Sequence, residues 1–162
     1  PGTGKTTLTT TLCERVQGSE CHSVATLAER CGAIAEQPDR TGARDVDVEG
    51  MMAAWSDLSV HLSSDLILID GHLSHLLPVD GAILLRCRPD VLRDRLEMRG
   101  WPSAKVEENV EAEFIGSIAA DLVDGAVPCL EISTHDRDIV NIAHGVVSWL
   151  EKDQAVLWAS GH

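Results

Sequence analysis

The chain opens with Pro1-Gly2-Thr3-Gly4-Lys5-Thr6-Thr7, and this stretch restricts what the remaining residues can build more than any other. Two glycines within four residues permit backbone conformations that turn successive amides toward a common point. Gly4-Lys5-Thr6 is the closing part of the pattern G-x-x-x-x-G-K-[ST], a loop that cradles phosphate. In that pattern Lys5 reaches the β- and γ-phosphates of a nucleotide, and the Thr6 hydroxyl is placed to hold Mg²⁺. The helix that starts here directs its positive end at the same anion. A loop of this kind ordinarily follows a strand at the centre of a parallel sheet. The expectation is therefore a fragment that begins inside its motif, its first strand lost and its stability and loop geometry weakened.

The periodicity of the rest fits that frame. Residues 4–17 read as a helix with Leu8, Leu12 and Val16 on one face, stopped by Gly18, although its five threonines are poor helix formers. A short strand is expected at 22–25, a helical turn after it, a mobile loop over 33–45 and a helix from about 48 to 61. The runs "DLILID" (65–70), "GAILLR" (81–86) and "VPCLEIS" (127–133) read as buried parallel strands. Pro89 is suited to the first turn of a helix that runs to Gly100. One long helix is expected over 103–125, with Ser103 as its cap, and a last amphipathic helix over 137–152. Strands alternating with helices argue for an α/β fold, a parallel sheet with helices on both faces, in a single domain over residues 1–162.

Composition narrows the class. The 162 residues carry 26 acidic against 13 basic side chains, a net charge of -13. Such a surface repels bare phosphate backbones, so no direct nucleic-acid binding is expected; it suits a basic protein partner and, equally, solubility in a high-salt cytoplasm, which the scarcity of Lys also suggests. No long apolar run occurs and nothing at the start resembles a signal peptide, although a fragment that begins inside its motif could not show one, so the default expectation is a cytoplasmic protein with no membrane contact. Five cysteines without a C-x-x-C pair fit reduced thiols better than a disulfide framework or zinc site.

A phosphate loop needs a carboxylate at the end of a neighbouring strand to complete the Mg²⁺ shell, and "LILID" supplies Asp70. His72 follows two residues later, placed to orient a water or contact a phosphate, and His75 comes next in the same segment. Arg95 and Arg99 are four apart, hence on one helical face, where paired guanidiniums can clamp a phosphoryl group. Arg88 and Arg93 lie close by and equally suit a solvated face. Glu107, Glu108, Glu111 and Glu113 read as exposed helix positions that pair with these arginines. Trp55, Trp101, Trp149 and Trp158 read as packing residues, since no basic patch surrounds them.

The stretches "PGTGKTT", "IDGHLSHLLP", "LLRCRPDVLRDRL" and "RGWPSAKVEENVEAE" together resemble the small adenylate-kinase-like ATPases that include the nuclear adenylate kinase of eukaryotes and its archaeal relatives. The strand-end Asp-x-His followed by a second His and Pro is the most specific of these signals. The resemblance implies a nucleoside monophosphate kinase fold, with an NMP-binding region over about 23–47 and a lid over about 99–109. It implies ATP and Mg²⁺ as cofactors, with Gly2, Gly4, Lys5, Thr6 and Thr7 on the ATP phosphates and Thr6 and Asp70 on the metal. Lys5, Asp70, His72 and Arg95 would be catalytic, with Arg95 near the transferred phosphoryl and Arg99 touching ATP. AMP or another NMP would be the acceptor. Relatives that bind AMP can carry an Arg in the helix after the second strand; this chain reads "LAERCG" there, so ATP binding is the firmer expectation.

The resemblance also implies a second role, an ATPase that assists small ribosomal subunit maturation while bound to a basic ribosomal protein. The two roles are compatible, because one site can pass phosphate to AMP or to water. A P-loop kinase of another small metabolite shares the opening loop but has no dedicated motif here.

Overall fold

The computed structural model describes residues 1–35, 45–62, 64–124 and 127–159. In chain order the elements are α1 (Lys5–Arg15), β1 (Ser19–Ser23), α2 (Val24–Arg30), α3 (Val48–Ser59), β2 (Leu66–Asp70) and a 3₁₀ turn at Ser74–Leu76. There follow β3 (Ala82–Arg86), α4 (Pro89–Met98), α5 (Ser103–Ile115), α6 (Ser117–Asp124), β4 (Cys129–Ser133) and α7 (Ile139–Ala159). The residues divide into two compact units, Pro1–Arg15 with Asp80–His162, and Val16–Val79. The described strands pair in parallel, as expected. They form two two-stranded sheets, β1 with β2 and β3 with β4, one in each unit.

In the 16–79 unit, β1 runs level with β2, Ser23 opposite Asp70. The strand ends earlier than its sequence suggests because Ser23 caps a helix: its Oγ accepts the Thr26 amide at 3.0 Å. Asp47 does the same for α3, accepting the Gly50 amide at 3.0 Å. The core of this unit is Val24, Leu27, Ala28, Ala33, Met51, Trp55 and Leu77, with Ile67 and Ile69 of β2 packed against it. The NMP-binding region expected over 23–47 is described at its two ends, joined by an antiparallel bridge between Ile34 and Val46. Residues 36–44, most of the loop expected over 33–45, lie outside the described residues.

In the other unit, β3 pairs with β4 from Ala82 opposite Cys129 to Arg86 opposite Ser133. Helix α1 packs on α7, and Arg15 Nη1 hydrogen-bonds His144 Nε2 at 2.9 Å. Thr9 and Thr11 donate their hydroxyls to the carbonyls of Lys5 and Thr7, which is how a threonine-rich helix satisfies its side chains. Helices α4 and α5 pack through Cys87, Leu92, Leu96, Val106 and Val110, with Trp101 half-buried against them. The residues expected to form one helix over 103–125 form two. Gly116 takes φ 68° and ψ 38°, a left-handed cap that ends α5. Pro102 rather than Ser103 is the N-cap of α5, its backbone already extended.

Cys31, Cys87 and Cys129 are free thiols. Among the described residues no helix is long and apolar enough to cross a membrane.

Candidate active site

The opening loop adopts the conformation its glycines permit. Gly2 has φ 85° and Gly4 has φ 97°, and α1 begins at Lys5 immediately beyond them. The Gly4 carbonyl accepts the Leu8 amide at 2.9 Å, so Gly4 is the residue from which the helix is wound. Thr3 is buried, whereas Thr6 and Thr7 are exposed in the first turn. Beneath the loop lies α4. A methyl group added at Gly2 would stand 2.6 Å from Leu92 Cδ1 and 3.2 Å from Leu96 Cδ2.

The same helix carries Arg95, half-buried and bonded in several directions. Its Nη1 donates to the Gly2 carbonyl at 3.2 Å, to Thr134 Oγ1 at 3.4 Å and to Cys87 Sγ at 3.5 Å. Its Nη2 donates to the Thr134 carbonyl at 2.9 Å. Thr134 follows β4 directly and is only 5% exposed. Its amide and its hydroxyl both donate to the Arg86 carbonyl, at 2.8 and 3.2 Å. Burial pushes the Cys87 thiol up, opposed in part by the positive charge of Arg95.

A cleft of about 390 Å³ opens over this arrangement. Gly2, Gly4 and Thr7 form its loop side, and Arg95, Arg99 and Arg137 bring three guanidinium groups to it. Met98, Ile139 and Ile142 supply an apolar wall. Loop amides, a helix N-terminus and guanidiniums suit an anion with several oxygens, and the apolar wall suits a flat uncharged body attached to it.

Of the residues singled out from the sequence, Gly2, Gly4, Lys5, Thr6, Thr7, Arg95 and Arg99 therefore share one unit, and most of them line one cleft. Arg88 pairs with Asp90, and Arg93 with Glu107, both on the exposed surface. Glu113 is not exposed as expected. Its Oε1 accepts Arg86 Nε and the Cys87 amide, each at 3.0 Å, which draws it to 15% exposure. Asp70 and His72 stand in the 16–79 unit, Asp70 as the last residue of β2 and His72 exposed in the turn beyond it. Gly71 between them has no room for a side chain, since a methyl there would meet Val24 Cγ2 at 2.5 Å. The 3₁₀ turn that follows contains His75.

Thr134 and Arg137 were not anticipated. The signal was available in principle: ligands of α/β sheets bind beyond the carboxyl ends of strands, and "STHDRD" follows the last one.

A family model described as "AAA domain" matches residues 1–116. Among similar proteins, one from Archaeoglobus fulgidus is 37% identical over 95% of this chain and 80% of its own length. One from Methanocaldococcus jannaschii is 31% identical over 94% of this chain and 90% of its own. One from Natronomonas pharaonis is 34% identical over 96% and 88%. All three carry the name "Putative adenylate kinase".

Proposed function

The chain belongs to the P-loop AAA-domain family together with these archaeal relatives, and on that premise we propose that it transfers a phosphoryl group from ATP to a nucleoside monophosphate, AMP by its relatives' name. The observation that carries this reading is the cleft in which the loop glycines, the start of α1 and three arginines converge. Loop amides and Lys5 hold the β- and γ-phosphates of ATP. Arg99 and Arg137 neutralise charge at the cleft mouth, and the nucleoside rests on Met98, Ile139 and Ile142. The γ-phosphoryl leaves the β–γ bridging oxygen and bonds to a phosphate oxygen of the acceptor, so that ATP and AMP give two ADP. Little covalent work falls to the protein; positioning and charge neutralisation carry the rate.

Thr6 and Asp70 would hold Mg²⁺. The donor set fits, because this ion takes one or two protein oxygens, keeps several waters and leaves the rest of its shell to substrate phosphates. When bound it supplies charge neutralisation of the phosphates. His72 orients the acceptor or a water, residues over about 23–47 receive the NMP, and residues over about 99–109 close over the nucleotides to exclude water.

The test is steady-state ADP formation with ATP, Mg²⁺ and each NMP in turn, for the intact chain and for Lys5→Ala. AMP-dependent ADP formation is expected, falling on the order of 10²-fold or more in the variant while its circular dichroism is unchanged. ADP formation that no NMP accelerates would refute transfer and leave hydrolysis.

The net charge of -13 favours a second reading, ATP hydrolysis coupled to a basic protein of the small ribosomal subunit. Retention of such a protein in a pull-down should weaken as salt rises, and no retention at low salt would reject it.

A further inference from the structure

We infer that Arg95 is a positioning residue for the phosphate-binding loop: its guanidinium ties the Gly2 carbonyl to the end of β4 and thereby aims the loop amides. The inference rests on the phosphate-binding reading of the loop and adds to it how the loop is kept in shape.

The peptide unit explains why a single carbonyl matters. Gly2 C=O and Thr3 N–H belong to one rigid plane and point in opposite directions. A donor fixed on the carbonyl therefore fixes the direction of the amide, and phosphate binding by such a loop depends on amide direction. Arg95 Nη1 supplies that donor at 3.2 Å. The guanidinium is itself immobilised, since Nη2 donates to the Thr134 carbonyl at 2.9 Å and Nη1 also reaches Thr134 Oγ1 and Cys87 Sγ. Thr134 is anchored in turn to the Arg86 carbonyl at the end of β3. Arg95 thus joins the loop to the ends of both strands of its sheet. Leu92 and Leu96, one turn and one residue away on α4, hold the same glycine from below. A planar guanidinium fixes its donors in one rigid geometry toward the loop and the end of β4, which a compact ammonium group on a flexible stem does not reproduce.

The test separates this role from direct contact with the transferred phosphoryl. ATP affinity is measured by titration without acceptor, and KM and kcat by steady-state assay, for Arg95→Lys, Arg95→Met, Thr134→Val, Thr134→Ser and Arg95→Met with Thr134→Val. Both Arg95 variants should weaken ATP binding and raise its KM by about tenfold, with a much smaller change in kcat. Thr134→Val should do the same to a lesser degree and Thr134→Ser should restore it. The double variant should be no worse than Arg95→Met alone. If Arg95→Met unfolds, Arg95→Lys and the Thr134 pair carry the comparison. A kcat loss on the order of 10²-fold at unchanged ATP affinity would overturn the proposal, as would additive losses in the double variant. Failure of the intact chain to bind ATP would instead remove the nucleotide reading itself and this proposal with it.

Discussion

Gly2 has two independent reasons to be glycine. Its φ of 85° strains any L side chain, and the space where a Cβ would sit is filled by Leu92 and Leu96. Gly4 meets only the first restriction, because nothing lies within 4 Å of its would-be Cβ. Gly2→Ala should therefore cost about 2–3 kcal/mol in thermal unfolding, against about 1 kcal/mol for Gly4→Ala. Equal losses would mean that α4 does not support the loop. Cys87 offers a second check at this scale. Its thiol is buried and pushed up by desolvation, so it stays protonated at neutral pH. A thiol reagent at pH 8 should label Cys129 well before Cys87, and rapid labelling of Cys87 in the folded chain would contradict the burial.

At the scale of elements, α5 is held to its sheet by one carboxylate. Glu113 accepts the Arg86 guanidinium and the Cys87 amide, and Arg86 Nη2 returns to the Glu113 carbonyl at 3.1 Å. Glu113→Gln keeps the shape but removes the charge from both bonds, and a loss of about 2 kcal/mol in urea unfolding is expected. A loss below about 0.5 kcal/mol would place Glu113 with ordinary exposed glutamates. This junction also shows where sequence reading reached and where it stopped. Parallel strands, the start of α4 at Pro89 and the phosphate loop were legible because each follows from local pattern and backbone chemistry. The break at Gly116 was not, because apolar spacing continues across it and an isolated glycine is tolerated inside a helix at about 1 kcal/mol. Tertiary bonds from Arg86 to Glu113, three residues earlier, accompany the break, and no local pattern encodes them. Arg137 escapes for a related reason: local pattern places it inside the helix expected over 137–152, whereas α7 begins at Ile139 and only the fold brings Arg137 to the cleft.

For the molecule as a whole, charge is the dominant property. Twenty-six acidic side chains against 13 basic ones repel one another in the compact state, and the repulsion is screened over about 10 Å at 0.1 M salt and about 3 Å at 1 M. The melting temperature should accordingly rise between these two salt concentrations. A flat or falling curve would mean that local pairs such as Arg93–Glu107, which salt weakens, outweigh the general repulsion. The half-buried seat of Trp101, beside Leu92 and Leu96 at the junction of α4 and α5, has a practical consequence. With four tryptophans and no tyrosine, ultraviolet emission from this chain comes from indole almost alone. Any shift of α5 over α4 changes how much water surrounds that ring, so one of the four contributions to the colour of the emitted light is a label-free optical signal built into the helix junction.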